Sequence, residues 1–184
     1  MEDIRLIKGY KANCYHGTDK KNVKSILQNG FYHSSKEDEW LGAGVYFFEK
    51  DIFQAINWCT RAKVKEIDNP AVIEVDIKTD SLIDLTLTCH YNYLMKLSKE
   101  IHKEYRKRLR SNDLNGEKLT SKHIFNILYQ IKEYSVIRHV FNVTNGGTVL
   151  GTKVARVQIQ VCVRDEECIS NMKEVDLNGY EELS

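Results

Sequence analysis

One proline, Pro70, stands in the whole chain, and neither an internal repeat nor a low-complexity stretch accompanies it. With no linker-like segment to divide them, the 184 residues are expected to form one domain, long enough to bury a proper core. Cysteine lacks pattern: Cys14, Cys59, Cys89, Cys162 and Cys168 are odd in number and include no CxxC pair. That spacing speaks against a zinc site or a secreted disulfide framework. Cys14, Cys59 and Cys162 sit in apolar or aromatic segments and are expected as buried thiols. No apolar run reaches the roughly 18–20 residues needed to span a bilayer, and none follows a basic start. A soluble, unexported, cytoplasmic protein with no membrane partner is therefore expected. A net charge of +1 gives the chain as a whole no preference for an acidic partner.

Nucleotide-binding motifs are missing as well. No GxGxxG opens a βαβ unit, so a Rossmann dehydrogenase is not supported, and no GxxxxGK[ST] occurs, which excludes a P-loop nucleotidase at motif level. His90, His102, His123 and His139 show no ligand spacing with cysteine or carboxylate, so no metal is expected. These four histidines are read as satisfied or exposed.

What is present concentrates between Tyr15 and Thr60. Tyr15-His16-Gly17-Thr18 ends a strand, and Asp19 is placed to cap a following helix. That helix carries Val23, Ile26 and Leu27 at helical spacing and stops at Asn29-Gly30. A polar loop leads from Tyr32 and His33 to Trp40, placed where both residues could touch a ligand. Leu41-Gly42-Ala43-Gly44 then runs directly into Val45-Tyr46-Phe47-Phe48. Two glycines around one alanine permit close ligand approach or unusual backbone angles. From Asp51 a second helix is predicted, with Ile52, Ala55, Ile56 and Cys59 on its apolar stripe and Trp58 off the stripe's centre. A histidine, a glycine-lined wall and a stacking tyrosine are what a flat heteroaromatic ring needs.

In the order His16-Gly17-Thr18, Asn29-Gly30-Phe31 and Gly42-Ala43-Gly44-Val45-Tyr46-Phe47, the segment resembles the donor-binding half of the ADP-ribosyltransferases of the diphtheria-toxin and poly(ADP-ribose) polymerase type. There a strand ends in His-Gly-Ser/Thr, a helix closes on Gly-Phe, and Gly-x-Gly-Ile/Val-Tyr-Phe follows. The resemblance implies an α+β fold, a split pair of small antiparallel-rich sheets around an NAD cleft. It covers residues 12–80 well and 133–170 more loosely. It further implies that His16 holds a ribose hydroxyl, that the Gly17 backbone clamps the nicotinamide carboxamide, and that Thr18 and Gly44 belong to the NAD site. Tyr46 would stack on the nicotinamide, with Trp58 on its other face.

Downstream, Ala71–Ile77 and Asp80–Thr86 read as strands after the turn at Asn69-Pro70. Residues 90–130 lie outside the resemblance and read as a helical insertion of two helices within the domain. The first carries seven Lys/Arg between Lys96 and Arg110 against Glu100 and Glu104. This local excess is a solvated helix face or, around Arg106, Arg108 and Arg110, a contact for a nucleic-acid or other polyanionic acceptor. Residues 134–143 read as a strand or a strand-adjacent helix, followed by a turn at Asn145-Gly146-Gly147.

The last clear strand alternates, with Val157, Ile159, Val161 and Val163 on one face and Gln158, Gln160 and Cys162 on the other. In the resembled family a third motif residue, usually Glu, opens such a strand. Counting back from Arg164-Asp165 places Gln160 there, with Gln158 the same-face alternative. The set His16, Tyr46 and Gln160 then implies a mono-ADP-ribosyltransferase that uses NAD and modifies a protein or nucleic-acid acceptor, as toxins and defence effectors do. Glutamine keeps a hydrogen bond to the ribose but lacks the carboxylate's charge, which Glu166 or Glu167 could compensate. Two alternatives stay open: an NAD or ADP-ribose sensor without turnover, and an enzyme like the RNA 2′-phosphotransferases.

Overall fold

The protein, seen in a computed structural model, is described at residues 4–33, 39–60, 67–110, 118–143, 149–178 and 180. Among these residues are seven strands and four helices. They are β1 (Tyr10–Asp19), α1 (Lys20–Asn29), β2 (Val45–Glu49), α2 (Ile52–Thr60), β3 (Pro70–Thr79), β4 (Leu82–Asp84), α3 (Thr88–Arg110), α4 (Ser121–Ile131), β5 (Val136–Asn142), β6 (Val157–Val163) and β7 (Ile169–Glu174). The strands form one open sheet in the order β4-β5-β6-β2-β1-β3-β7. The loop residues 34–38, the charged stretch 61–66, the break 111–117 and the Asn145-Gly146-Gly147 turn lie outside the described residues. No helix among the described residues is long and apolar enough to cross a membrane.

Local signals set the first helix. Asp19 Oδ1 accepts from Lys21 N at 3.0 Å, and Gly30, at φ 83°, donates its N–H to Ile26 O to close the last turn. Val23 and Ile26 are buried as the spacing predicts, whereas Leu27 is exposed. β1 begins at Tyr10, ahead of the histidine motif.

Only β4–β5 is parallel among the strand pairs. A parallel pair needs a crossover rather than a hairpin. The two helices expected as an insertion are that crossover, carrying the chain from Asp84 to Val136.

The sheet's two faces are covered unequally. One carries a continuous core of Cys14, Phe47, Ile73, Val75, Val136, Val161 and Val163, closed by Ile26 of α1 and by Phe31. Each large apolar side chain buried there contributes about 1.5–3 kcal/mol. The other face is divided. Ile52, Ala55 and Cys59 of α2 pack on Val72 at the β1–β3 side. Tyr93 and Leu97 of α3 and Phe125 and Leu128 of α4 pack on Ile83, Ile137 and Cys162 at the β4–β6 side. Between them, Tyr15, Phe48, Gln160 and His139 form one row across β1, β2, β6 and β5, each in register with the next.

The expected split pair of sheets is instead a single sheet with a short seam. Two register pairs, Cys14–Glu49 and Tyr15–Phe48, join β1 to β2, whereas β1–β3 pairing runs unbroken from Tyr10 to Asp19. Under the core face, Arg138 reinforces the β2 side. Its Nε donates to Glu49 Oε2 at 2.5 Å and a terminal nitrogen donates to Asp84 Oδ2 at 3.1 Å, while Tyr10 donates to the same Glu49 oxygen at 2.9 Å.

Candidate functional site

The seam opens where the histidine motif lies. Lys20 N donates to Asn69 O at 2.7 Å, which sets the phase of the β1–β3 ladder. Antiparallel ladders alternate, so even-numbered β1 residues exchange bonds with β3 and odd-numbered ones turn their N–H and C=O toward β2. The bond from Lys50 N to Asn13 O, 3.0 Å, obeys the same phase. Gly17 is odd-numbered, and β1–β2 register ends at Tyr15–Phe48. Its peptide groups therefore face the opening between the strands.

Continued by one step, the ladder would pair Gly17 with Tyr46. Instead His16 Nδ1 donates to the Tyr46 carbonyl at 2.8 Å. A carbonyl only accepts, so Nδ1 carries the proton and Nε2 keeps a lone pair while the ring is neutral. Burial lowers the His16 pKa below its usual value, partly opposed by the Tyr46 bond. Phe31 and Phe47, at ring-centroid distances of 5.0 and 5.6 Å, supply that apolar surround.

Gly17 is glycine for a packing reason too. A Cβ there would lie 2.5 Å from Ala55 O and 3.3 Å from Trp58 Cε3, so α2 sits directly on this strand. Trp58, 42% exposed, thus lies beside the Gly17 peptide. Thr18 is buried and accepts from Asn22 Nδ2 at 3.5 Å, an internal role away from the opening.

Tyr46 has its hydroxyl engaged. It donates to Gly42 O at 2.7 Å and accepts from Leu41 N at 2.8 Å, and burial pushes its pKa up. Only the ring is left for a ligand. Gly42 and Gly44 have φ of 86° and 153°, in the range that favours glycine. A Cβ on Gly44 would stand 2.6 Å from Cys162 Sγ, and one on Gly42 would stand 2.8 Å from Phe125 Cβ. The glycine bracket, read as permitting close ligand approach or unusual backbone angles, adopts the unusual angles and presses the loop onto β6 and α4. Cys162 lies beneath it, its thiol 3.7 Å from the Gly42 and Ala43 carbonyls and pushed by burial up to about 12.

β6 and β5 lie on the far side of β2 in the same sheet. Gln160 stands between Phe48 and His139, while Gln158 stands opposite Phe141, farther along the strand. Neither amide hydrogen-bonds another described residue. His139 is half-buried, its Nδ1 is buried without a partner, and its ring meets Phe141 at 4.8 Å. Phe141 in turn meets Trp40 at 5.1 Å. Burial lowers the His139 pKa, with Asp84 opposing and Arg138 adding to the effect.

Three of the four histidines read as satisfied or exposed are so. His90 accepts from Asp84 N at 2.9 Å, His102 bonds Ser98 O at 2.8 Å, and His123 accepts from Thr120 N at 3.2 Å. His139 is the exception, and it escaped notice because the faces of its strand could not be assigned from the sequence.

Several residues stay outside the opening. Glu166 Oε1 lies 3.4 Å from His33 Nε2 and beside Gly30, so it does not compensate for Gln160. Tyr32 is exposed. Arg106 and Arg108 are exposed on the last turns of α3, and the side chain of Arg110 lies outside the described residues. Two open recesses lie elsewhere, one of 640 Å³ between Lys20 and the 174–178 stretch and one of 610 Å³ along α3. Neither contains His16, Tyr46 or Gln160. Among the described residues, no group of three or more His, Cys, Asp or Glu is arranged to hold a metal ion.

No family model matches the chain. The chain is 24% identical over 193 residues to an uncharacterized protein of Methanocaldococcus jannaschii, a match that covers 91% of this chain and 88% of that protein.

Proposed function

We propose that this chain is a single-domain, cytoplasmic, NAD-dependent mono-ADP-ribosyltransferase, with the fold of the poly(ADP-ribose) polymerase and diphtheria-toxin enzymes. It would transfer ADP-ribose to a protein or nucleic-acid acceptor and release nicotinamide. The observation that carries this reading is the opened seam at Gly17. A peptide with N–H and C=O turned into an opening, beside an exposed indole and opposite a tyrosine ring, matches a carboxamide on a flat heteroaromatic ring.

The residues then divide the work. Gly17 pairs with the carboxamide, and Trp58 and Tyr46 offer ring faces to the nicotinamide. His16 Nε2 accepts from a ribose hydroxyl, which its neutral state allows. Gln160 binds the nicotinamide-ribose hydroxyl through its amide. Thr18 and Gly44 act by shaping the backbone on either side. NAD supplies an electrophilic anomeric carbon with a cationic leaving group, and the protein contributes by fixing the two rings and the approach of the acceptor. Glutamine in place of a carboxylate forgoes up to a few kcal/mol of charge stabilisation, or roughly one to three decades in rate. Arg106 and Arg108 on α3 offer a surface to a polyanionic acceptor.

Gln160 also supports a second reading, an NAD or ADP-ribose sensor without turnover, since a neutral amide stands where the resembled enzymes carry charge. An RNA 2′-phosphotransferase is favoured less. It would want basic side chains in the opening, and the basic cluster is on α3.

Calorimetric NAD binding and nicotinamide release, measured on wild type, Trp58→Ala and Gln160→Ala, test the proposal. Wild type should bind and release, Trp58→Ala should bind more weakly, and release should fall in both variants. Tight binding without release would favour the sensor. Absence of both would end the NAD reading.

A further inference from the structure

Six histidines occur in the chain, and five use a ring nitrogen within the fold. His139 does not. Its Nδ1 is buried without a partner among the described residues, and it sits in the same row as Gln160 and Phe48. A ring nitrogen buried without a hydrogen bond costs stability and invites a role beyond packing.

We propose that His139 is the general base of the transfer, removing the proton from an acceptor that carries an O–H group, held beside Gln160. This rests on the ADP-ribosyltransferase reading above. The acceptor oxygen bonds to the anomeric carbon of the nicotinamide ribose as the bond from that carbon to the pyridinium nitrogen breaks. Both electrons of the broken bond go to that nitrogen, and nicotinamide leaves neutral. The acceptor's proton passes to a ring nitrogen of His139 and from there to water.

The two functions of a catalytic carboxylate are thereby divided. Gln160 holds the ribose hydroxyl, and His139 takes the proton. The division also selects the acceptor class. A carboxylate acceptor is already ionised at neutral pH and needs no base, whereas a hydroxyl does. The charged groups acting on His139 are Asp84 at the end of β4, which favours protonation, and Arg138 beside it on β5, which opposes it. Its β6 neighbour Gln160 is neutral and its ring neighbour Phe141 is apolar. Burial outweighs Asp84 and keeps the ring a free base at neutral pH.

The test uses the full chain with NAD, and with water and methanol as O–H acceptors. Nicotinamide release is followed from pH 5 to 9 for wild type and His139→Gln, with calorimetric NAD binding and thermal melting on the same preparations. Wild type should show a rate that falls below the His139 pKa, itself under the ordinary value of about 6.5. His139→Gln should fold and bind NAD like wild type, release nicotinamide about 10²–10⁴-fold more slowly, and lose the acid limb. A variant with intact binding and either the wild-type rate or an unchanged acid limb overturns the assignment alone. Wild type that binds NAD without releasing nicotinamide overturns it as well. Wild type that does neither removes the underlying NAD reading.

Discussion

The two walls of the opening differ in how their polar groups are used. On the β1–β2 wall, His16 is tied to the Tyr46 carbonyl and the Tyr46 hydroxyl to Leu41 and Gly42. There the Gly17 peptide faces the gap. On the β5–β6 wall, Gln158, Gln160 and His139 make no hydrogen bond to other described residues. A buried polar group that is satisfied holds shape, and one left unsatisfied in a native fold needs another explanation. Polar groups on the first wall are spent within the fold, whereas those on the second are left without partners among the described residues. Behind both, Arg138, Glu49, Asp84 and Tyr10 form a largely buried ionic cluster.

That contrast is open to attack, and the largest expected effect lies behind the walls. Glu49→Ala leaves the Arg138 guanidinium short of its closest carboxylate in a buried setting, and should cost about 3–5 kcal/mol by urea unfolding. Gln160→Ala and His139→Gln remove no internal hydrogen bond and should each stay within about 1 kcal/mol of wild type. If either cleft variant destabilises as much as Glu49→Ala, the distinction between structural and unengaged polarity is wrong.

Next in size is Gly17→Ala. Its methyl would meet the Ala55 carbonyl at 2.5 Å, a backbone atom of α2 that cannot rotate away. A cost of about 1–3 kcal/mol is expected from forced displacement of the helix. Trp58 would move with it, so NAD affinity should fall in step. A variant of wild-type stability would show that α2 is not seated on β1 as described.

Tyr46→Phe separates the two uses of that side chain. Loss of the hydroxyl strands Leu41 N–H and should cost about 1–2 kcal/mol in urea unfolding. The ring remains, so calorimetry should find NAD binding close to wild type. A large loss of affinity with little loss of stability would mean that the hydroxyl, and not the ring, meets the ligand.

Legibility in the sequence followed the range of the interactions. The bounds of α1 could be read because Asp19 and Gly30 act within a few residues of themselves. The face of Gln160 could be read because strand alternation is local, although burial does not follow it: Val161, Cys162 and Val163 are all buried, and Val157 is exposed. Nonlocal features escaped. That α3 and α4 form a crossover depends on β4 and β5 being parallel, which no local pattern states. The target of the Gly42 and Gly44 contacts lies more than 80 residues away, in Phe125 and Cys162. The place of His139 beside Gln160 escaped for the same reason, since register is a property of two strands together.

The effect most specific to the first wall belongs to the carboxylate of Asp19. Asp19 is buried at the end of β1 and accepts from Lys21 N at 3.0 Å and Asp68 N at 2.9 Å. Those backbone donors, Lys21 first and Asp68 second, pull its pKa down to about 2. In the unfolded chain the value returns to about 3.9. With the folded value the lower one, Asp19 stabilises the fold fully above the unfolded pKa, and that stabilisation is lost as pH falls through about 2. Asp19→Asn keeps an oxygen to accept a bond but cannot ionise. The stability gap between wild type and Asp19→Asn, from urea midpoints between pH 2 and 7, should be flat above about pH 5 and close as pH approaches 2. A gap that is the same at every pH would mean that the turn at Asp68 is held by shape and not by the carboxylate's charge. The first wall would then owe its rigidity to packing, and the contrast with the β5–β6 wall would rest on His16 and Tyr46 alone.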